Sequence, residues 1–105
     1  MLTWNIEEAT GYQPKTTFYK DFSIADAYGA NAIKDTYKRA FNEWKDNTVY
    51  LTELVMALNW KIFEHYEAGR KGYAKLYNDL WTEADSWAVE NLKGEDLKYF
   101  LETTD

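Results

Sequence analysis

Apolar positions recur along the chain with a helical period, and the densest run is Thr48 to Glu67, TVYLTELVMALNWKIFEHYE. At about 3.6 residues per turn, Leu51, Leu54, Val55, Leu58, Ile62 and Tyr66 fall on one continuous stripe. Val49, Met56, Trp60 and Phe63 form a second stripe, separated from the first by Thr52 and Asn59. Glu53, Ala57, Lys61 and Glu64 remain as the solvent-tolerant edge. A surface helix carries one apolar stripe, so two stripes predict neighbours on two sides and make this segment the hub of a bundle. Asn47 or Thr48 can cap its start, and Gly69 stands where a left-handed C-cap is wanted.

The flanking pattern supplies the neighbours. Upstream, Ile33, Tyr37, Ala40, Phe41 and Trp44 share a narrow face, with Asp35, Arg39, Asn42, Glu43 and Asp46 opposite. Asp35 and Arg39 stand at i, i+4 in the favourable order for an ion pair. Downstream of the turn Gly69-Arg70-Lys71-Gly72, the residues Tyr73, Leu76, Tyr77, Leu80, Ala84, Trp87 and Ala88 face one way, widened by Ala74, Trp81 and Leu92. Asp79, Glu83, Ser86 and Glu90 line the other side. Gly94 ends that helix, and a last short one carries Leu97, Phe100 and Leu101.

Towards the N-terminus, Ser23-Ile24-Ala25-Asp26 reads as a capping box with Asp in place of Glu, starting a short helix at Ile24 that Gly29 stops. Before it, Leu2, Trp4 and Ile6 alternate with polar residues, Gly11 and Pro14 punctuate a loop, and TTFY (16–19) is again strand-like. No two-residue turn signal joins the extended pieces, so an arm lying across the helices is expected in place of a hairpin. The prediction is an all-α single domain over 1–105. It has three main helices at about 31–46, 49–67 and 72–92, short helices near 24–28 and 95–102, and an extended arm over 1–22 packed on the bundle. The second hub stripe is then covered by Leu2, Trp4, Ile6, Phe18 and the Leu97–Leu101 turn, which buries Trp60.

Composition changes this picture in two ways. Five Trp, nine Tyr and five Phe make the chain 18% aromatic, more rings than a small core consumes, so the surplus is expected at an interface. Twelve Lys plus Arg against eighteen Asp plus Glu give a net charge of −6, which disfavours non-specific binding to nucleic acid or to an anionic membrane. Cysteine is absent, which removes thiolate chemistry and makes a reducing cytosol the natural compartment. Met1 to Thr10 has neither the basic nor the apolar run of a targeting segment, and Glu53, Lys61, Glu64 and Glu67 argue against a membrane-spanning hub.

Candidate chemistry is sparse. His65 is the sole histidine; Glu64 and Glu67 are one and two residues away, where helix neighbours do not face each other, so a semi-exposed helix-end histidine is expected. Ile62 stands where a Glu-x-x-His metal motif would need its carboxylate. The G-x-x-G turn at 69–72 has the form of the backbone clamp of KH domains, but the hub helix leaves no room for their sheet. Ser23 and Ser86 have helix-cap and helix-surface explanations. Neither a cofactor nor a metal is expected, nor is enzymatic activity. The candidate partner-binding residues are Asp79, Glu83 and Glu90 on the outer acidic stripe, with Trp81 and Trp60 as aromatic anchors.

Taken by whole segments, TTFYKDFSIADAYGANAIKDTYKRAFNEWKDN, YLTELVMALNWKIFEHYE and ADSWAVENLKGEDLKYFLETTD (16–105) resemble small accessory proteins of prophages and conjugative elements of gut Firmicutes. The resemblance implies a bacterial cytoplasm and an accessory role on a mobile element. Small acidic proteins of that kind often inhibit host defence, anti-CRISPR proteins among them. It carries over no residue roles. The expected function is a non-enzymatic protein-binding inhibitor of a host defence nuclease, acting by steric occupation of a basic site. The alternatives are a module that homodimerises through the second hub stripe and a small nucleic-acid-binding regulator using Arg70 and Lys71.

Overall fold

The computed structural model describes residues 16–104, which form five α-helices and, among those residues, no strand. They are α1 (Phe18–Asp26), α2 (Ala30–Trp44), α3 (Thr48–Glu67), α4 (Lys71–Asn91) and α5 (Gly94–Thr104). The three main helices are α2, α3 and α4, and α3 is the hub, packed against each of the other four. Its first half is enclosed on every side: Leu51, Thr52, Glu53, Leu54 and Val55 are consecutive and all buried. Asn47 caps it, its Oδ1 accepting from the Tyr50 amide at 3.1 Å. The buried Thr52 hydroxyl is satisfied by donating back to the Thr48 carbonyl at 2.7 Å.

The inward faces of α2 and α4 follow the hydrophobic pattern. Ile33, Tyr37 and Ala40 are buried on α2, with Phe41 and Trp44 half-buried beside them; Ala74, Tyr77, Leu80, Ala84 and Ala88 are buried on α4. Phe41 joins the two helices through an edge-on contact with Trp87, ring centroids 5.5 Å apart. α5 contributes Phe100, fully buried, whereas Leu101 is exposed and Leu97 half-buried. Asp35 and Arg39 are both exposed, and the described ion pairs do not include them.

α1 departs from expectation at its start. Its helix begins at Phe18, six residues before Ile24, so the 16–22 part of the expected arm is largely helical. Phe18, Phe22 and Ala25 recur at helical spacing and are buried together, and that burial overrides the strand-like local composition. Ser23 therefore sits inside the helix, donating to the Tyr19 carbonyl at 3.0 Å, and Asp26 is the last helical residue; the capping box does not exist. Thr17 takes the cap position, its hydroxyl donating to the Asp21 carboxylate at 3.0 Å. The rest of the arm, with Leu2, Trp4, Ile6 and the Gly11 and Pro14 loop, lies outside the described residues, as does the choice between arm and hairpin.

A second correction concerns the faces of α3. The edge assigned to solvent is buried at Glu53, Ala57 and Lys61 and half-buried at Glu64. Conversely, Phe63 is 54% and Tyr66 66% exposed, and Trp60, expected to be buried, is half-buried. The reason is α1, which lies over the charged edge and draws the enclosed arc of the C-terminal half towards Lys61 and His65. The chain reaches that edge at Thr16, whose amide and hydroxyl both donate to Glu53 Oε1 at 3.2 and 3.3 Å.

Gly69 closes α3 as expected. With φ at 80° it lets the Arg70 amide donate to the His65 carbonyl at 2.8 Å and its own amide donate to the Tyr66 carbonyl at 3.1 Å, the paired bonds of a Schellman turn. The turn 69–72 is shorter than a loop, because Lys71 and Gly72 already belong to α4.

Two substitutions separate the faces of α3 that hydropathy treats alike. Leu58→Ala is expected to cost about 2–5 kcal/mol by urea unfolding, because Leu58 is fully enclosed. Phe63→Ala is expected to change stability by no more than about 0.5 kcal/mol. Equal losses at both positions would contradict the faces described.

Candidate functional site

The side chains with the most chemical capacity meet where α1 crosses α3. On α1, Tyr19, Ser23 and Asp26 recur at i, i+4 and i+7, one step around the helix from the buried Phe18, Phe22 and Ala25. On α3, Lys61, Glu64 and His65 present a matching stripe. Lys61 has no solvent exposure, and its Nζ lies 2.7 Å from Asp26 Oδ2, 2.6 Å from Glu64 Oε2 and 3.2 Å from Ser23 Oγ. The Tyr19 ring covers it at 5.2 Å, a cation–π contact, and the Tyr19 hydroxyl donates to Glu64 Oε1.

His65 extends the network towards α4. Its Nε2 is 2.9 Å from Asp26 Oδ2, and Arg70 Nε donates to its Nδ1 at 2.8 Å. Arginine has no acceptor nitrogen, so this bond assigns the lone pair to Nδ1 and the proton to Nε2, which donates to Asp26. The imidazole is stacked on Tyr77 (centroids 5.4 Å, planes 12° apart) and tilted against Tyr73. The Tyr77 hydroxyl donates to Asp26 Oδ1 at 2.5 Å and approaches the Phe22 carbonyl at 3.3 Å. Asp26 thus gathers an ammonium, an imidazole and a phenol from two other helices.

Burial pushes the His65 imidazole below its ordinary value; Asp26 opposes the shift, while Lys61 and Arg70 reinforce it. For Glu64, burial acts upward, but hydrogen bonds from Lys61 and Tyr19 carry it below the usual carboxylate range. Burial and the Asp26 hydrogen bond push the Tyr77 phenol far up, so it stays a donor.

Among the described residues, Asp26, Glu64 and His65 place possible ligand atoms within 4.8 Å of one another. The cation in that space is Lys61's own ammonium. A metal ion would have to displace it and remove the His65 Nε2 proton, against the charges of Lys61 and Arg70. The imidazole likewise has both nitrogens engaged. What the arrangement does is hold three elements together by a closed set of charge-assisted hydrogen bonds.

None of this cluster was identified as a site from sequence. His65 was expected to be semi-exposed and Lys61 to face solvent; both are buried, because their partner Asp26 lies more than thirty residues upstream. A usable signal existed in the polar stripe Tyr19–Ser23–Asp26, whose carboxylate and hydroxyls complement Lys61, but the capping-box reading consumed Ser23 and Asp26.

The proposed partner-binding residues lie elsewhere. Asp79, Glu83 and Glu90 are exposed along the outer face of α4, and only Asp79 has a described ion pair, with Lys75 at 3.0 Å. Trp81 is half-buried against the core and so is not a free anchor. Trp60 lines a cavity of about 300 Å³ with Tyr19, Asn59, Phe63, Glu64 and Glu67. No helix among the described residues is long and apolar enough to cross a membrane. No family model, curated protein or solved structure matches the chain.

Lys61→Met keeps an unbranched side chain one atom shorter and removes the charge, leaving two carboxylates facing each other. The expected cost at pH 7 is about 2–3 kcal/mol, less than for a fully enclosed pair because Asp26 and Glu64 are partly exposed. Urea unfolding from pH 7 to pH 4 should show the variant converging on wild type, because Lys61 holds Glu64 below the usual carboxylate range and the stability this gives is lost as Glu64 takes up its proton. A gap that widened instead would contradict the network.

His65 gives a separate pH dependence. With its folded pKa below the ordinary 6.5, the unfolded chain takes up the proton first, so stability is complete above about 6.5 and falls as pH drops through the folded value. In His65→Gln the carboxamide can donate to Asp26 and accept from Arg70 without titrating. Its urea midpoint is expected to fall less between pH 7 and pH 5.5 than that of wild type; identical slopes would count against the assignment.

Proposed function

We propose that this chain is a non-enzymatic binding protein that occupies a basic surface of another macromolecule. In its most specific form it is an accessory protein of a mobile genetic element that inhibits a host defence nuclease, as anti-CRISPR proteins do. The observation that carries this reading is an exposed acidic face: Asp79, Glu83 and Glu90 stand together on one side of α4, and of the three only Asp79 has a described ion pair. Those carboxylates span about 16 Å of helix at 1.5 Å per residue, a length suited to pairing with successive Lys or Arg side chains of a nucleic-acid channel. The mechanism is steric: the partner's basic groups are covered and its nucleic acid is kept out.

A second reading has its own observation. Phe63 and Tyr66, one turn apart on α3, are both exposed, and such a patch also suits a homodimer. Light scattering over a wide concentration range distinguishes the two.

The decisive experiment is affinity capture from a native bacterial host with the wild-type chain and with a Glu83→Lys/Glu90→Lys variant, followed by mass spectrometry. A nucleic-acid-processing enzyme is expected on the wild type, released by salt, and reduced about tenfold on the variant. Retention indifferent to both salt and charge reversal would overturn the proposal.

A further inference from the structure

A second surface, away from the α4 stripe, lies between α1 and α2. α1 and α2 are joined by a tight turn in which Gly29 adopts φ 105°, and an open furrow of about 670 Å³ is lined by residues of both helices. The furrow persists because the residues along its floor are small: Ala25, Ala32 and Ala40 leave space that larger side chains would fill. Ile24 and Tyr28 stand on its wall and remain 55% and 79% exposed, so apolar surface is left open to water at the groove.

The rim decides what fits. Asp21, Asp35 and Glu43 border the furrow against a single Arg39, so an apolar trough is flanked by a negative edge. Anionic membranes and nucleic-acid phosphates are repelled by that edge. A second copy docking by the same face would set the two acidic rims against each other. A helix with an apolar stripe flanked by Lys or Arg satisfies both the floor and the rim.

We propose that the α1–α2 groove docks a basic amphipathic helical segment of a partner protein. The inference rests on the binding-protein reading, but it uses a different face from the α4 stripe. The apolar residues of the segment insert along the alanine floor between Ile24 and Trp44, and its cations pair with Asp35 and Glu43 at the rim.

The test is a titration of the isotope-labelled full chain, at physiological salt, with a synthetic amphipathic helix of Leu and Lys and with a twin carrying Glu for every Lys. The Leu/Lys peptide is expected to shift amide signals of α1, the Gly29 turn and α2. The Glu twin should bind about tenfold more weakly or worse. Asp35→Lys/Glu43→Lys should weaken the Leu/Lys peptide by about tenfold, and Ala32→Trp, which fills the trough without changing charge, should abolish its effect. Circular dichroism melts establish that both variants are folded. Shifts centred on Asp79–Glu90 of α4 would overturn the groove while leaving the binding-protein reading intact. Equal binding of the two peptides, absence of saturable binding, or indifference to both variants would also overturn it. Capture of a salt-sensitive partner lost only in the α4 variant would separate the two proposals from the other side.

Discussion

An ammonium withdrawn from water must recover its hydration from the groups around it, and Lys61 does so from two carboxylates, a hydroxyl and an aromatic face. The desolvation of the charges offsets much of their attraction, so an apolar trio of similar shape would hold α1 to α3 about as firmly. What the ammonium adds is direction. Rotating α1 by one residue would move Asp26 away and turn Ile24 or Ala25 towards a buried charge, at the cost of an unpaired cation. The register of Tyr19, Ser23 and Asp26 against Lys61, Glu64 and His65 is thereby set by electrostatics, while Phe18, Phe22 and Ala25 supply the apolar contact.

The same junction recruits α4 through the Gly69 turn. The Arg70 amide closes α3 by bonding the His65 carbonyl, and the guanidinium of the same residue holds His65 Nδ1. Backbone reversal and imidazole tautomer are therefore one constraint. Tyr77 completes it from α4 by bonding Asp26. The link from local turn to tertiary packing is short: a left-handed glycine places the arginine that orients the ring that faces the carboxylate.

Much of the architecture was legible because its causes are local. The inward faces of α2 and α4, the Asn47 cap and the Gly69 turn follow from helical period and cap chemistry. On α3 the apolar stripe was legible at Leu51, Leu54, Val55 and Leu58, but the polar edge was not, from Glu53 through Lys61. Hydropathy assigns Lys61 and Glu64 to water and Phe63 and Tyr66 to the core; the structure buries Lys61, half-buries Glu64 and exposes both rings, because a complementary charge arrives from α1. The start of α1 failed for a related reason. TTFY has strand-like composition, but Phe18 and Phe22 are buried at i, i+4, a fact that only the position of α3 reveals. The acidic face of α4 is exposed, as its helical period predicts; Trp81 is not a free anchor, since a half-buried ring on a packed face has already spent its contact area.

The chain contains one histidine, and it sits where α1, α3, the Gly69 turn and α4 converge. Its imidazole is stacked on one aromatic ring and tilted against another, and both nitrogens are engaged by residues far apart in sequence or across a turn. The ring protons of that imidazole therefore give an intrinsic spectroscopic reporter of tertiary assembly. They form an isolated set of resonances, displaced by the Tyr73 and Tyr77 ring currents only while the helices are docked, and need no introduced label.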